Sequence, residues 1–377
     1  MTLFSFIKKV IIWRLLILVI AFVGFFIIKP STGFTMLSPT AQKSDLSVMW
    51  SNFDGLHYLS LAEYGYGYPN KTDKLYAFFP VYPWLINNFN FLGSYLFSGL
   101  FISHLFLILA LYFLHKLVLI DENEKIANLT ILLILIFPTA LFLGSVYTES
   151  LFLFLSVLCF YLVRKKYFFL ACLIATIASA TRITGVFLWP VILYEYWIKN
   201  NKEIKSFFKP FLVWLFLPPL GLLSYLKFQW DKTGDALFFA HIQTSFTGRT
   251  TDKIIMLYQV FYRYFRMLLF TQVNSVLYFT VVLEFLSAIL ILGVIIFSIR
   301  KMRFSYWIYI VLSFLLPSFS GTFASLPRYI LVLFPMFIYL AKWLDNSKPL
   351  VIKIYFSICV GFSIACIILF TRGYFIS

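Results

Sequence analysis

Few residues in this chain can do chemistry, and most sit in short polar settings between long apolar runs. Asp54 stands in Trp50-Ser51-Asn52-Phe53-Asp54-Gly55-Leu56-His57-Tyr58. On a helix, Asp54, His57 and Tyr58 share one face, because residues three and four apart are neighbours. A carboxylate held partly out of water there can act as a general base, with His57 and Tyr58 placing a substrate beside it. The same aspartate can instead cap a helix at a membrane surface. Arg182 and Arg328 carry guanidinium forks that match a phosphate. Their plainer reading is snorkelling to the interface, or pairing with a carboxylate such as Glu149. Glu149, in Tyr147-Thr148-Glu149-Ser150, can position Arg182, contact an acceptor or bind a metal. His241 and Gln243, with Arg249 beyond them, are further candidates for positioning donor or acceptor. His57 and His241 lack ligand-like spacing with other His or Cys residues. No cofactor is therefore called for, and a divalent metal has only weak support. Glu284, inside an apolar run, is expected to pair within a helix bundle.

The elements that must carry these residues follow from composition. Of 377 residues, 62% are apolar and only 12% charged, against ~25% charged in soluble proteins. That excludes a soluble enzyme and a disordered chain. The runs are apolar on every face, which excludes a membrane β-barrel. An all-α polytopic membrane protein remains. The net charge of +16 comes from 31 basic and 15 acidic residues. It is read as loop retention and contact with membrane lipids, not as a nucleic-acid footprint. The four cysteines lie inside apolar runs and read as small buried hydrophobes.

About eleven spans are expected: 10–28, 91–113, 126–142, 151–163, 167–180, 183–198, 207–228, 273–299, 304–319, 329–343 and 350–370. The first reads as a retained helix, with no small-residue cleavage site after it. Lys8, Lys9 and Arg14, the run Arg164-Lys165-Lys166, and Arg300, Lys301 and Arg303 fall on one side, in short loops. That side is expected to be cytoplasmic, with the N-terminus on it. Asp54, Glu149, Arg182, His241 and Arg328 then fall on the other. The long segments 31–90 and 229–272 are too aromatic to be solvated linkers. They are expected to cap an external active site, in one domain spanning 1–377. Phe53, Leu56, Leu59 and Ala62 predict one surface-lying helix; Ile254, Leu257, Tyr258, Phe261 and Phe265 predict another. The short spans 151–163 and 167–180, and Pro138, predict helices that stop at a water-filled pocket.

Several pieces, in order, resemble the second GPI mannosyltransferase (PIG-V-type) family and its prokaryotic relatives, within the GT-C class of membrane glycosyltransferases. They are Trp50-x-x-x-Asp54-Gly55-x-His57-Tyr58 with Ala62-Glu63-x-Gly65-Tyr66; Phe78-Phe79-Pro80-Val81-Tyr82-Pro83; Phe137-Pro138-Thr139-Ala140 with Tyr147-Thr148-Glu149-Ser150; Ala178-Ser179-Ala180-Thr181-Arg182-x-x-Gly185; Thr233-Gly234-Asp235 followed by Gln243; and Leu326-Pro327-Arg328-Tyr329. The resemblance implies a GT-C bundle that moves a sugar, mannose first among candidates, from a polyprenyl-phosphate carrier to an acceptor hydroxyl with inversion. It implies Asp54 as the base or acceptor-orienting group. Arg182 and Arg328 can then supply the charge that the leaving phosphate needs. The acceptor would be a glycan, glycolipid or protein. The site would face outward at a plasma membrane, or the lumen of the endoplasmic reticulum in a eukaryote. A lipid-linked glycan flippase or transporter and a glycan polymerase are the rival readings. A transporter should place polar groups near mid-membrane in two related halves; here they gather on one side.

Overall fold

The computed structural model describes residues 2–31, 48–66, 73–90, 93–203, 210–244, 249–250 and 253–376. Parts of the two expected capping segments, at 32–47, 67–72, 245–248 and 251–252, lie outside the described residues. So do the expected span starts at 91–92 and 207–209. Among the described residues all regular structure is helical.

The helices run in order as α1 (Leu3–Ile27), α2 (Asp54–Tyr64), α3 (Val81–Asn88), α4 (Tyr95–Val118), α5 (Glu124–Leu135), α6 (Glu149–Arg164), α7 (Phe168–Ser179) and α8 (Leu188–Lys199). They continue as α9 (Leu220–Thr233), α10 (Phe238–His241), α11 (Leu257–Phe270), α12 (Val276–Ser298), α13 (Phe304–Ser318), α14 (Leu326–Leu331), α15 (Phe334–Asp345) and α16 (Pro349–Thr371). Four of them, α1, α4, α12 and α16, are long and apolar enough to cross a bilayer unaided. Helix α1 shows why. Its buried stripe is Phe6, Val10, Trp13, Ile17, Ala21 and Gly24. Its other faces leave Phe22, Phe26 and Ile27 exposed, an apolar surface that belongs against lipid.

Other expected spans are interrupted where proline removes a backbone donor and blocks the helix. The run 126–142 is helical only to Leu135; Pro138 follows, then a 3-10 turn at Ala140–Gly144. The run 207–228 breaks at Pro218-Pro219, between a 3-10 segment (Pro210–Phe216) and α9. The run 183–198 begins as 3-10 (Ile183–Phe187) before α8. The run 329–343 divides into α14 and α15 around Pro335. The break after Pro138 is packed inside the bundle, where residues 140–144 are all buried.

Two ends of the bundle differ in character. At one, Arg164 pairs with Asp121, Lys342 with Glu122 at 2.6 Å, and Arg303 with Glu195 at 3.0 Å. These are the basic loops of the orientation argument. At the other, α1 and α16 finish side by side. Arg372 donates to the Ile28 carbonyl at 2.7 Å, and Ser31 N–H donates to the Arg372 carbonyl at 2.9 Å. Gly24 permits this approach, since a Cβ there would lie 2.9 Å from the Ile368 side chain.

One expectation is corrected. Arg14 was assigned to the basic flank of the first span, but α1 starts at Leu3 and places Arg14 midway along it. Its guanidinium stacks on Trp50 at 3.9 Å, because a cation inside the bundle needs an aromatic or polar cover. The two predicted surface helices form, with different buried faces. Helix α2 buries Gly55, Tyr58, Leu61 and Ala62, and α11 buries Val260 and Tyr264.

Candidate active site

Asp54 opens α2, and the backbone just before it is strained. Phe53 has φ +58° and ψ −114°, a region costly for a side chain with a Cβ and one that clusters at functional sites. Local bonds hold it there. Asn52 Nδ2 donates to the Phe370 carbonyl at 2.8 Å, and Tyr147 OH donates to the Asn52 carbonyl at 2.6 Å. Val146 N–H donates to the Trp50 carbonyl at 3.0 Å. Gly55 lets this backbone lie close, since a Cβ would meet the Val146 carbonyl at 3.2 Å.

Glu149 opens α6, where the positive end of the helix dipole suits an anion. It is fully buried. Its Oε1 accepts from Arg328 Nε at 3.0 Å and lies 3.0 Å from Arg328 Nη2. Arg182 Nη1 stands 3.3 Å from the same oxygen, close enough for an ion pair but not aligned as a hydrogen bond. Arg328 Nη1 donates to Asp54 Oδ2 at 2.8 Å. One guanidinium thus bridges two carboxylates. The rings of Phe142 and Tyr147 lie 4.8 and 4.7 Å from it. The pairing reading of the arginines is therefore what the resting geometry contains, with Glu149 as the shared partner.

Arg328 sits on α14, a single short turn entered through Ser325 at φ +61°. Buried bonds fix that entry. Ser325 N–H donates to Glu284 Oε1 at 3.2 Å, and Tyr264 OH donates to Glu284 Oε2 at 2.5 Å. Phe323 N–H donates to Tyr264 OH at 3.1 Å. Glu284 pairs inside the bundle as expected, and what it holds is the approach to Arg328. Arg182 follows α7, with its N–H on the Ala178 carbonyl at 3.0 Å. Its guanidinium faces Tyr329 at 5.1 Å.

A cavity of about 650 Å³ opens over these groups. Asp54, His57, Tyr58, Arg182, Gln243 and Arg328 all line it. His57 stacks on Phe78 at 4.9 Å, and Tyr58 stands edge-on to the same ring. Burial pushes the Tyr58 phenol up, so it stays neutral. Glu149 lies behind the wall, under the arginines. His241 lies outside the cavity lining; it is half exposed and its Nδ1 is 2.6 Å from Asp235 Oδ2. That bond holds the Asp235 carboxyl below its usual range.

Arg249 carries more of the site than its sequence setting conveys. It is buried, donates to Gln243 Oε1 at 2.7 Å and to the Ala324 carbonyl at 2.8 Å, and leaves Nε without a partner. Tyr329, between Arg182 and Arg249, completes the cationic wall. The available signal was that Gln243 and Arg249 share the second long segment; no spacing rule predicts their contact. Among the described residues no three His, Cys, Asp or Glu side chains converge as a metal-binding group.

No protein-family model matches the chain, and no curated protein matches it in sequence. Solved structures do match in fold. ArnT from Cupriavidus metallidurans, solved bound to undecaprenyl phosphate, aligns with TM-score 0.54 at 12% identity, covering 97% of this chain and 76% of ArnT. Its apo structure gives 0.53 at 13% identity with the same coverage. An Archaeoglobus fulgidus oligosaccharyltransferase tethered with an acceptor peptide reaches 0.47 at 12% identity, covering 98% of this chain and 55% of its own. The likeness to ArnT extends to architecture and does not single out the PIG-V-type family. The chain shares the all-helical fold of ArnT.

Proposed function

We propose that this protein transfers a sugar, mannose in the first instance, from a polyprenyl-phosphate carrier to an acceptor hydroxyl at the external membrane face. The observation that carries this reading is the placement of Asp54 beside a wall of three arginines in one cavity. A phosphate-linked sugar is already activated; its departure needs charge stabilisation in a place where water does not screen it. Arg182 and Arg249, which both line the cavity, are the groups that would meet the departing phosphate. Arg328 is engaged by both carboxylates, so its part is to hold Asp54 and lend charge to the wall. Asp54 would take the proton of the acceptor hydroxyl as that oxygen attacks the anomeric carbon. The carbon–oxygen bond to phosphate breaks on the opposite face, through an oxocarbenium-like state, giving inversion. The undecaprenyl phosphate held by ArnT supports a lipid-phosphate donor. The PIG-V-type motif set, with Asp54, Arg182 and Arg328 at its positions, supports mannose. The basic loops at the far end of the bundle support an outward-facing site.

The test is purified protein in nanodiscs with polyprenyl-phosphate mannose and a panel of glycan, glycolipid and peptide acceptors. The expected result is mannosyl product with the inverted anomer and release of polyprenyl phosphate. Lipid-linked glycan transport with no transfer to any acceptor would replace this reading with the flippase one.

A further inference from the structure

A second cavity, of about 640 Å³, lies beside α11 and shares no lining residue with the first. That volume is ordinary for a small-molecule site, ~300–1,000 Å³. Helix α11 presents three faces. Val260 and Tyr264 point into the bundle. Gln259, Tyr262, Arg263, Arg266 and Phe270, spaced by three and four, line the cavity. Tyr258, Phe265 and Leu269 are 69%, 54% and 62% exposed, an apolar stripe beside the polar one. Across the cavity stand Thr250, Lys253 and Gly321.

The described charges of this groove are all positive. Among the described residues that line it, those carrying charge are Lys253, Arg263 and Arg266. Its back wall is built from backbone. Arg263 Nη1 donates to the Gly321 carbonyl at 2.9 Å, Thr250 N–H to the Ser320 carbonyl at 2.9 Å, and Ile255 N–H to the Phe319 carbonyl at 3.0 Å. Among the described residues Arg266 has no ion-pair partner; its guanidinium rests 5.8 Å from the Phe270 ring. A helix with tyrosines and phenylalanine on one flank and arginines on the next lies at the level of lipid headgroups. There the cations meet phosphate while the rings meet acyl chains.

We propose that this groove binds the phosphate headgroup of an anionic membrane lipid, with Lys253 and Arg266 as the principal contacts and Arg263 as the fixed floor. The occupant is a lipid and not a free anion because the apolar stripe runs alongside the cations. The site is separate from the donor cavity and stands whether or not the chain transfers sugar.

The test uses full-length protein in phosphatidylcholine nanodiscs with increasing phosphatidylglycerol, read by native mass spectrometry of retained lipid. Wild type is expected to retain phosphatidylglycerol preferentially. The pair Lys253→Gln and Arg266→Gln should lower that affinity about 30-fold, roughly fivefold per cation. The melting midpoint in pure phosphatidylcholine should not move. A control pair, Lys227→Gln and Lys232→Gln, should change retention little. Equal loss in the control pair would mean diffuse attraction and overturn the site. Undiminished retention in the first pair, or no preference in wild type, would do the same. Competition by inorganic phosphate as effective as by the lipid would overturn the lipid assignment.

Discussion

Arg328 Nη1 lies 2.8 Å from Asp54 Oδ2, joining residues 274 positions apart. The same guanidinium reaches Glu149, so the candidate base cannot move independently of the cationic wall. A carboxylate fixed this way presents its free edge to the cavity in one orientation, which general base catalysis requires.

Asp54→Asn keeps the shape and removes the proton acceptor. Sugar transfer is expected to fall by about 10²–10⁴-fold, with donor binding retained. Transfer from labelled polyprenyl-phosphate mannose, alongside donor binding by native mass spectrometry, measures both. Wild-type turnover in the variant removes Asp54 from the mechanism.

Arg328→Ala strips buried Glu149 of its hydrogen-bonded partner and leaves it only the looser Arg182 contact. Breaking a buried pair by removing one partner costs about 3–5 kcal/mol. A marked drop in melting midpoint is expected in detergent, and part of it should return in the double variant with Glu149→Gln. Simple additivity of the two changes would show that they do not interact.

Arg182→Ala and Arg249→Ala test the groups assigned to phosphate. Charge-assisted hydrogen bonds of about 1.5–3 kcal/mol correspond to roughly a tenfold to hundredfold weaker donor affinity. The effect should appear in KM for the donor and spare KM for the acceptor. A purely structural role would instead lower the melting midpoint with donor affinity intact in the folded fraction.

Tyr264→Phe deletes the hydroxyl that joins Glu284, Thr322 and Phe323. Unsatisfied buried groups cost about 1–3 kcal/mol. Reduced stability is expected, together with slower transfer, because the entry to α14 loosens. A stable variant with normal turnover would show that this network does not position Arg328.

Gly221→Ala probes how Arg182 is set in place. A Cβ at Gly221 would meet the Thr176 carbonyl at 2.0 Å and Ser179 Oγ at 2.4 Å. Helices α7 and α9 would have to part just before Arg182, at a cost of about 1–3 kcal/mol for overpacking. The melting midpoint should fall, and donor affinity with it.

Much of this was legible from residue types alone. Apolar runs located the helices, because a bilayer leaves few alternatives. The grouping of Asp54, Glu149, Arg182 and Arg328 followed from putting every second loop on one side. Two things were hidden. Glu149 lies behind the wall and not on it, since no spacing rule distinguishes a carboxylate that meets substrate from one that anchors arginines. Arg249 and Glu284 take their roles from contacts with Tyr329, Ala324 and Ser325, which are remote in sequence. Arg14 looked like a flanking cation because charge counting is blind to where a helix begins.

The bond from Asn52 to the Phe370 carbonyl has a bearing on biosynthesis. Segment 48–54 is seated in part by α16, and α16 leaves the ribosome after α1 to α15. During insertion the strained Phe53 lacks its anchor on α16, and Asp54 lacks Arg328 until α14 arrives. A nascent chain would therefore carry an unformed site until α14 and α16 have both emerged. Closure of α1 against α16 would be the event that completes the site.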